Sequence, residues 1–237
     1  MTVRARIGQP DIYRAPFLAV YDWFVLGFMN HVMWRCPTRT LLAQYDAYVS
    51  AHHLDVGVGT GYYLDQCQFP TLSPSLTLLD VSPSPLKWAA RRLSRYEPRL
   101  HATSVLEPID LAGERFDSIG LNYVVHCLPG RFPAKAAAFR NLRPLLRPGG
   151  VLFGATMLGK GVHRHLPAEC FFRASNMLRV FGNRHDDLGA LKQALTEQFS
   201  QVEIRVVGCM ALFVAHLDGE GARILERDGG GERTTSR

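Results

Sequence analysis

The segment His53-Leu54-Asp55-Val56-Gly57-Val58-Gly59-Thr60-Gly61 sets a carboxylate and three alternating glycines at the end of an apolar run. A second apolar run, Leu76-Thr77-Leu78-Leu79, ends in Asp80. A short strand that turns through such glycines leaves no side chain between its backbone and a ligand. Glycine is the residue that tolerates those dihedrals and permits the close approach. An acidic residue ending the next strand is placed to hold the two hydroxyls of a ribose, as in nucleotide-binding βαβ units. The spacing narrows the ligand further. A dinucleotide fingerprint reads G-x-G-x-x-G, which from Gly57 would need glycine where Tyr62 stands, so a NAD-dependent oxidoreductase is disfavoured.

Other residues able to do chemistry cluster in three places. Asn122-Tyr123-Val124-Val125-His126-Cys127-Leu128-Pro129-Gly130 follows the fourth predicted strand, and open α/β sheets bind ligands outside the carboxyl ends of their strands. His126 has a pKa suited to taking a proton from a phenol, an oxime or a protonated amine. It reads equally as a histidine hydrogen-bonded to a neighbouring loop. Cys127, with no adjacent base in sequence, reads as a buried thiol and not a nucleophile. Tyr13, Tyr21, Trp23 and Trp34 lie upstream of the glycine loop, where aromatic faces could favour a cationic group or simply pack in a core. Between the fifth predicted strand and a helix at Leu188 lie His163, His165, Phe171, Phe172, Phe181, His185 and Asp186. Their uneven spacing is poor metal-site geometry, and surface or supporting roles are expected.

The elements that must position these residues alternate. Strands are expected at Ala51–Val56, Ser75–Leu79, Arg99–Thr103, Phe116–Leu121 and Gly150–Thr156, with helices at Tyr62–Cys67, Ser84–Tyr96, Phe132–Leu146 and Leu188–Phe199. Val202–Val207 and Ala211–His216 are split only by Gly208-Cys209-Met210, a link that suits a hairpin. Upstream, apolar residues at helical spacing fill 16–34, Pro37 ends that helix, and Thr38 caps a second one through Tyr48. The fold expected is α/β: a doubly wound seven-stranded sheet, mostly parallel with a C-terminal antiparallel hairpin strand, plus an N-terminal helical cap. Residues 1–50 form the cap, 51–217 the core, and the glycine-rich 218–237 a disordered tail.

Four motifs in register carry a family resemblance. They are Asp55 with its glycines, Asp80, the fourth strand Phe116-Asp117-Ser118-Ile119, and the turn Leu146-Arg-Pro-Gly-Gly150. Together they resemble the class I S-adenosylmethionine-dependent methyltransferases, over the stretch from Leu54 to Phe213. The resemblance implies S-adenosylmethionine as the methyl donor, held by Asp55, Gly57, Gly59, Thr60, Gly61, Asp80, Val81, Ser104, Val105, Asn122 and Tyr123. Ser104 stands where the family often has an aspartate against the adenine. The family's N-terminal helices fold over the donor, which implies acceptor contacts from Tyr21, Trp34 and His126, with His126 as the catalytic residue. Neither a metal nor a covalent intermediate is required, because alignment of nucleophile and methyl is the main task.

Composition bounds the setting. The 237-residue chain, 47% hydrophobic, can bury one substantial core. No apolar run reaches the roughly 18–20 residues of a membrane span, and no signal peptide is evident. Five dispersed cysteines form no C-x-x-C pair, which fits a reducing cytoplasm. The net charge of +6 rests on scattered arginines, with only four lysines among the 27 basic residues. No basic groove for nucleic acid is suggested. The expected activity is methyl transfer to a small, aromatic or heterocyclic acceptor at N, O or C, with no nucleic-acid or membrane partner and either a monomer or a homodimer. An RNA or protein methyltransferase, or a catalytically silent nucleotide-binding regulator, are the alternatives.

Overall fold

The structure, a computed structural model, describes residues 22–219, with side chains from residue 26 onward. Tyr13, Tyr21 and the tail beyond 219 lie outside the described residues. A π-helix, Asp22–Met33, leads into α1 (Thr38–Tyr48). The core runs β1 (His52–Val56), α2 (Tyr62–Gln66), β2 (Ser75–Asp80), α3 (Pro83–Arg92), β3 (Arg99–Ala102), β4 (Phe116–Asn122), α4 (Phe132–Leu142) and β5 (Leu146–Met157). It closes with α5 (Leu166–Met177), α6 (Leu188–Thr196), β6 (Gln201–Val207) and β7 (Met210–His216).

The seven strands lie in the order β3-β2-β1-β4-β5-β7-β6. Neighbours from β3 to β5 are parallel, and β7 runs antiparallel to both β5 and β6. The chain works outward from β1 to β3, then returns to pair β4 with β1. That reversal leaves a crevice at the carboxyl ends of β1 and β4, where doubly wound sheets bind ligands. Alternation along the strands feeds two cores. Leu54, Ile119, Leu152 and Phe213 face one layer with Phe139 of α4 and Leu191 of α6. Leu78, Phe153 and Leu212 face the other, with Leu41 and Tyr45 of α1, Ala89 of α3 and Phe172 of α5.

Several expectations change in detail. The N-terminal helix is wound as a π-helix, and Trp34 N donates to Met29 O at 3.0 Å, five residues back. Thr38 does not cap α1. Its hydroxyl donates instead to Leu26 O, tying the two N-terminal helices together. The turn read at Leu146–Gly150 belongs to β5, where Leu146 pairs with Phe116 and the register shifts before Val151 meets Ser118. Helix α5 was not foreseen.

The N-terminal helices are fastened to the sheet through Asn30, which is fully buried. Its Nδ2 donates to Thr38 Oγ1 at 2.9 Å and to Tyr63 Oη at 3.5 Å, and its Oδ1 accepts from Tyr123 Oη at 2.7 Å. Removing a donor from a buried carbonyl costs about 1–3 kcal/mol. Tyr123→Phe is therefore expected to lower the melting temperature by roughly 2–4 °C for each kcal/mol lost. A thermal melt identical to the parent's would show that this hydrogen bond does not hold the cap.

Candidate active site

The loop after β1 is anchored before it meets any ligand. Gly57 N donates to Leu79 O at 2.7 Å, and Gly57, Gly59 and Gly61 have φ of 68°, 55° and 72°. A Cβ on Gly57 would stand 2.2 Å from Val124 Cγ2, so glycine here lets the loop pack against the segment after β4. A Cβ on Gly59 would meet no protein atom within 4 Å, because that position opens onto a cavity.

The cavity, about 120 Å³, lies at the carboxyl ends of β1, β2 and β4. Of the expected donor residues, Gly57, Gly59, Asp80, Val81, Ser104, Val105 and Tyr123 line it. Val56, Leu79 and Thr103 at the strand ends belong to the wall as well, as do Leu106, Val124, Cys127, Leu128 and Pro129. These last five lacked a type signal in sequence, although each follows the carboxyl end of β3 or β4. Asp80 Oδ1 accepts from Ser82 N at 2.8 Å, so the carboxylate also shapes the turn into α3. Burial pushes the Asp80 carboxyl up to about 6; the Ser82 N–H opposes this and the Asp55 charge adds to it.

Asp55 and Asn122 stand behind that wall. Asp55 is 4% exposed; Tyr45 Oη donates to its Oδ1 at 2.8 Å and His53 Nε2 lies 3.5 Å away. Burial, then the Asp55 charge, pushes the Tyr45 phenol well above its ordinary value, so it remains a donor. Asn122 is 6% exposed, and its side-chain amide interacts with the Tyr45 phenol, opposing the rise in that phenol's pKa. Thr60 and Gly61, like Asp55 and Asn122, are not brought to the cavity. Thr60 is buried and its hydroxyl accepts from Arg92 Nη1 at 3.1 Å, bracing the loop against α3. Gly61 sits at the N-terminus of α2 with its Cα against Ala89.

Beyond Tyr123 the site continues as a series of rings. Tyr123 lies 5.7 Å from His126, His126 5.1 Å from Phe181, and Phe181 6.3 Å from Trp34, which also meets Phe171 at 5.8 Å. Trp34 and His126 are thus brought to one place, although both are only 2% exposed. The general-base role expected of His126 does not fit its surroundings. Its Nδ1 accepts from Met157 N at 3.3 Å, so the neutral ring carries its proton on Nε2 and offers a donor there. Burial, with a smaller contribution from Lys135, lowers its pKa to about 3. Cys127 is no better suited to nucleophilic work, since burial pushes its thiol up to about 12. His165 is structural: Nδ1 accepts from Ala168 N at 3.3 Å at the start of α5, and Nε2 lies 2.8 Å from Val32 O. Among the described residues, no cluster of three or more histidine, cysteine or acidic side chains could hold a metal, and no helix is long and apolar enough to cross a membrane.

A doubly wound sheet with a terminal antiparallel strand, carrying a glycine loop and an acidic second strand around one crevice, defines a Rossmann-like nucleotide-binding enzyme. A family model described as "Methyltransferase domain" matches residues 54–152. Demethylluteothin O-methyltransferase of Streptomyces thioluteus is 34% identical over 86% of this chain and 88% of its own length. The Physcion biosynthesis cluster O-methyltransferase of Aspergillus chevalieri is 38% identical over 86% of this chain and 92% of its own. The solved DhpI–SAH complex shares the fold, with a TM-score of 0.62 at 16% identity over 89% of this chain and 95% of that one. The chain belongs to the S-adenosylmethionine-dependent methyltransferases. Its activity is methyl transfer from S-adenosylmethionine to a small molecule.

The residues present fit that donor. Gly59 offers a cradle that a side chain would fill, and Asp80 a carboxylate that lines the same cavity. When bound, S-adenosylmethionine supplies a methyl group already activated on a sulfonium.

Proposed function

We propose that this enzyme methylates a hydroxyl oxygen on a flat conjugated ring, and that it does so by alignment without a protein base. Gly57 and Gly59 hold the amino-acid end of the donor, Asp80 takes the ribose hydroxyls, and Ser104 and Val105 face the adenine. Asp55 acts from behind, held by Tyr45. The acceptor lies against Trp34, Phe171, Phe181 and Tyr123. The observation that carries the reading is the run of rings that begins at the cavity and ends at Trp34. Flat rings pack well against such faces. His126 presents a fixed N–H to an acceptor oxygen, and orients it. Two relatives bear the name O-methyltransferase, which agrees with an oxygen nucleophile. Residues 1–50 serve as the cap and 51–217 as the core, acting in the cytoplasm, where the five unpaired cysteines stay reduced.

Since His126 stays neutral and offers a donor, the acceptor must lose its proton to solvent. The substrate class is therefore an acidic phenol or enol. The test is a methyl-transfer assay with labelled donor on hydroxylated rings and their amino counterparts. Methyl ethers are expected, and the rate should rise with pH through the acceptor's own pKa, shifting when that acceptor is changed. His126→Phe, which keeps a ring but has no N–H, should raise acceptor KM by about tenfold, the value of one neutral hydrogen bond, without moving the pH midpoint. Methylation confined to the amines, or a midpoint that stays fixed across acceptors, would sink this reading.

A further inference from the structure

Lys135 of α4 is fully buried, with its ammonium 2.5 Å from the Asp186 carboxylate. A buried ion pair contributes little net stability, because desolvation offsets the attraction. Burial indeed pushes the ammonium's pKa down and the carboxyl's up, each opposed by its partner. What such a pair does offer is a fixed geometry. Lys135 Nζ also donates to Gly182 O at 3.1 Å, and Gly182 N donates to His126 O at 2.8 Å. The main-chain oxygen of Asp186 accepts from Gly159 N at 2.8 Å and Lys160 N at 2.9 Å. Asn183 Nδ2 donates to Met157 O at 2.9 Å. Three segments are thus drawn together: those that follow β4, β5 and α5. The approach is close enough that a Cβ on Gly182 would lie 2.4 Å from Leu128 O. Phe181, directly before Gly182, is the residue whose ring meets both His126 and Trp34.

We propose, resting on the acceptor chamber read above, that Lys135 and Asp186 are positioning residues for acceptor selection. Their mutual bond, with the Lys135 bond to Gly182, fixes where Phe181 and His126 stand and so sets the spacing of the rings proposed to meet the acceptor. The side chains touch neither donor nor acceptor. They act through the Phe181–Gly182 backbone, which Lys135 Nζ ties to α4. An apolar pair of equal volume would fill the same space but would not hold the Gly182 carbonyl.

The test is the double variant Lys135→Met/Asp186→Leu, which avoids leaving one charge buried alone. Three readouts are needed: calorimetry with S-adenosylhomocysteine, amide hydrogen exchange, and methyl transfer to hydroxylated arenes of one, two and three fused rings. Expected are a donor-product Kd within about threefold of the parent and exchange at Gly182 at least about tenfold faster. Acceptor KM should rise at least about tenfold for the preferred ring size, with kcat within about threefold and ring-size preference flattened. Phe181→Ala, which leaves the ion pair intact, should flatten the preference in the same way. Parental exchange at Gly182 with parental ring preference overturns the proposal, as does a Phe181→Ala enzyme that keeps that preference. So does an equal loss of S-adenosylhomocysteine and acceptor affinity, since that would mark a general structural role. A parent inactive on every ring would sink the acceptor chamber itself, while the exchange and calorimetric results would still decide whether the pair holds the loop.

Discussion

Asp80→Ala is expected to weaken S-adenosylhomocysteine binding at least a hundredfold while leaving the fold intact. Two ribose hydroxyls donating to a carboxylate make charge-assisted bonds worth roughly 1.5–3 kcal/mol each. Losing both removes about 3–6 kcal/mol, or roughly two to four powers of ten in affinity. Stability should hardly fall, because the ionised carboxyl is disfavoured where it sits: its pKa is raised to about 6. A raised folded-state value means that the folded protein binds this proton more tightly than the unfolded chain does. The Asp80 contribution therefore destabilises the parent above about pH 6 and is relieved as pH falls through that value. Donor affinity runs the opposite way. The ionised form is the better acceptor, so affinity should be flat above about pH 6 and fall below it in the parent, and stay flat in Asp80→Ala. Calorimetry across that range checks both statements, and parental affinity in the variant would remove Asp80 from the site.

Gly59→Val should abolish donor binding altogether. The position has φ of 55° and opens onto the cavity, with no protein atom near the added Cβ. A β-branched side chain must either occupy ligand space or force the loop out of its left-handed conformation. The left-handed geometry alone costs roughly 1–2 kcal/mol, which a core of this size can bear. The outcome to measure is a cooperative melt beside a calorimetric trace with no heat of S-adenosylhomocysteine binding. Binding within tenfold of the parent would mean that Gly59 does not approach the ligand.

Much of this was legible in sequence wherever one stretch of chain carried its own signal. The parallel strands ended within a residue or two of expectation, because each apolar run stops at a turn residue or a carboxylate. The hairpin of β6 and β7 was legible from the brevity of Gly208-Cys209-Met210. Helix α5 was not, because Leu166, Phe171 and Met177 are exposed and no clean apolar stripe marks its inner face. At the site, the glycine loop and Asp80 were readable as neighbours on adjacent strands. The burial of His126 was not, since its partner is a backbone N–H from β5 that no local pattern announces. Thr60 reads as a donor contact from its place in the loop, but Arg92, 32 positions later at the end of α3, takes its hydroxyl. Lys135 and Asp186 meet across 51 positions, a distance over which charge patterning is silent.

Tyr123 has one further consequence, which concerns order and not affinity alone. Its backbone is held at φ 59°, it borders the donor cavity, and its hydroxyl enters the buried Asn30 network of the N-terminal helices. One residue therefore belongs to two sites at once. By linkage, whatever factor the donor adds to acceptor affinity through this residue, the acceptor returns to the donor in equal measure. On the acceptor reading proposed above, a donor that strengthens acceptor binding through Tyr123 is itself held by the acceptor in the same measure, and Tyr123→Phe is expected to remove that coupling.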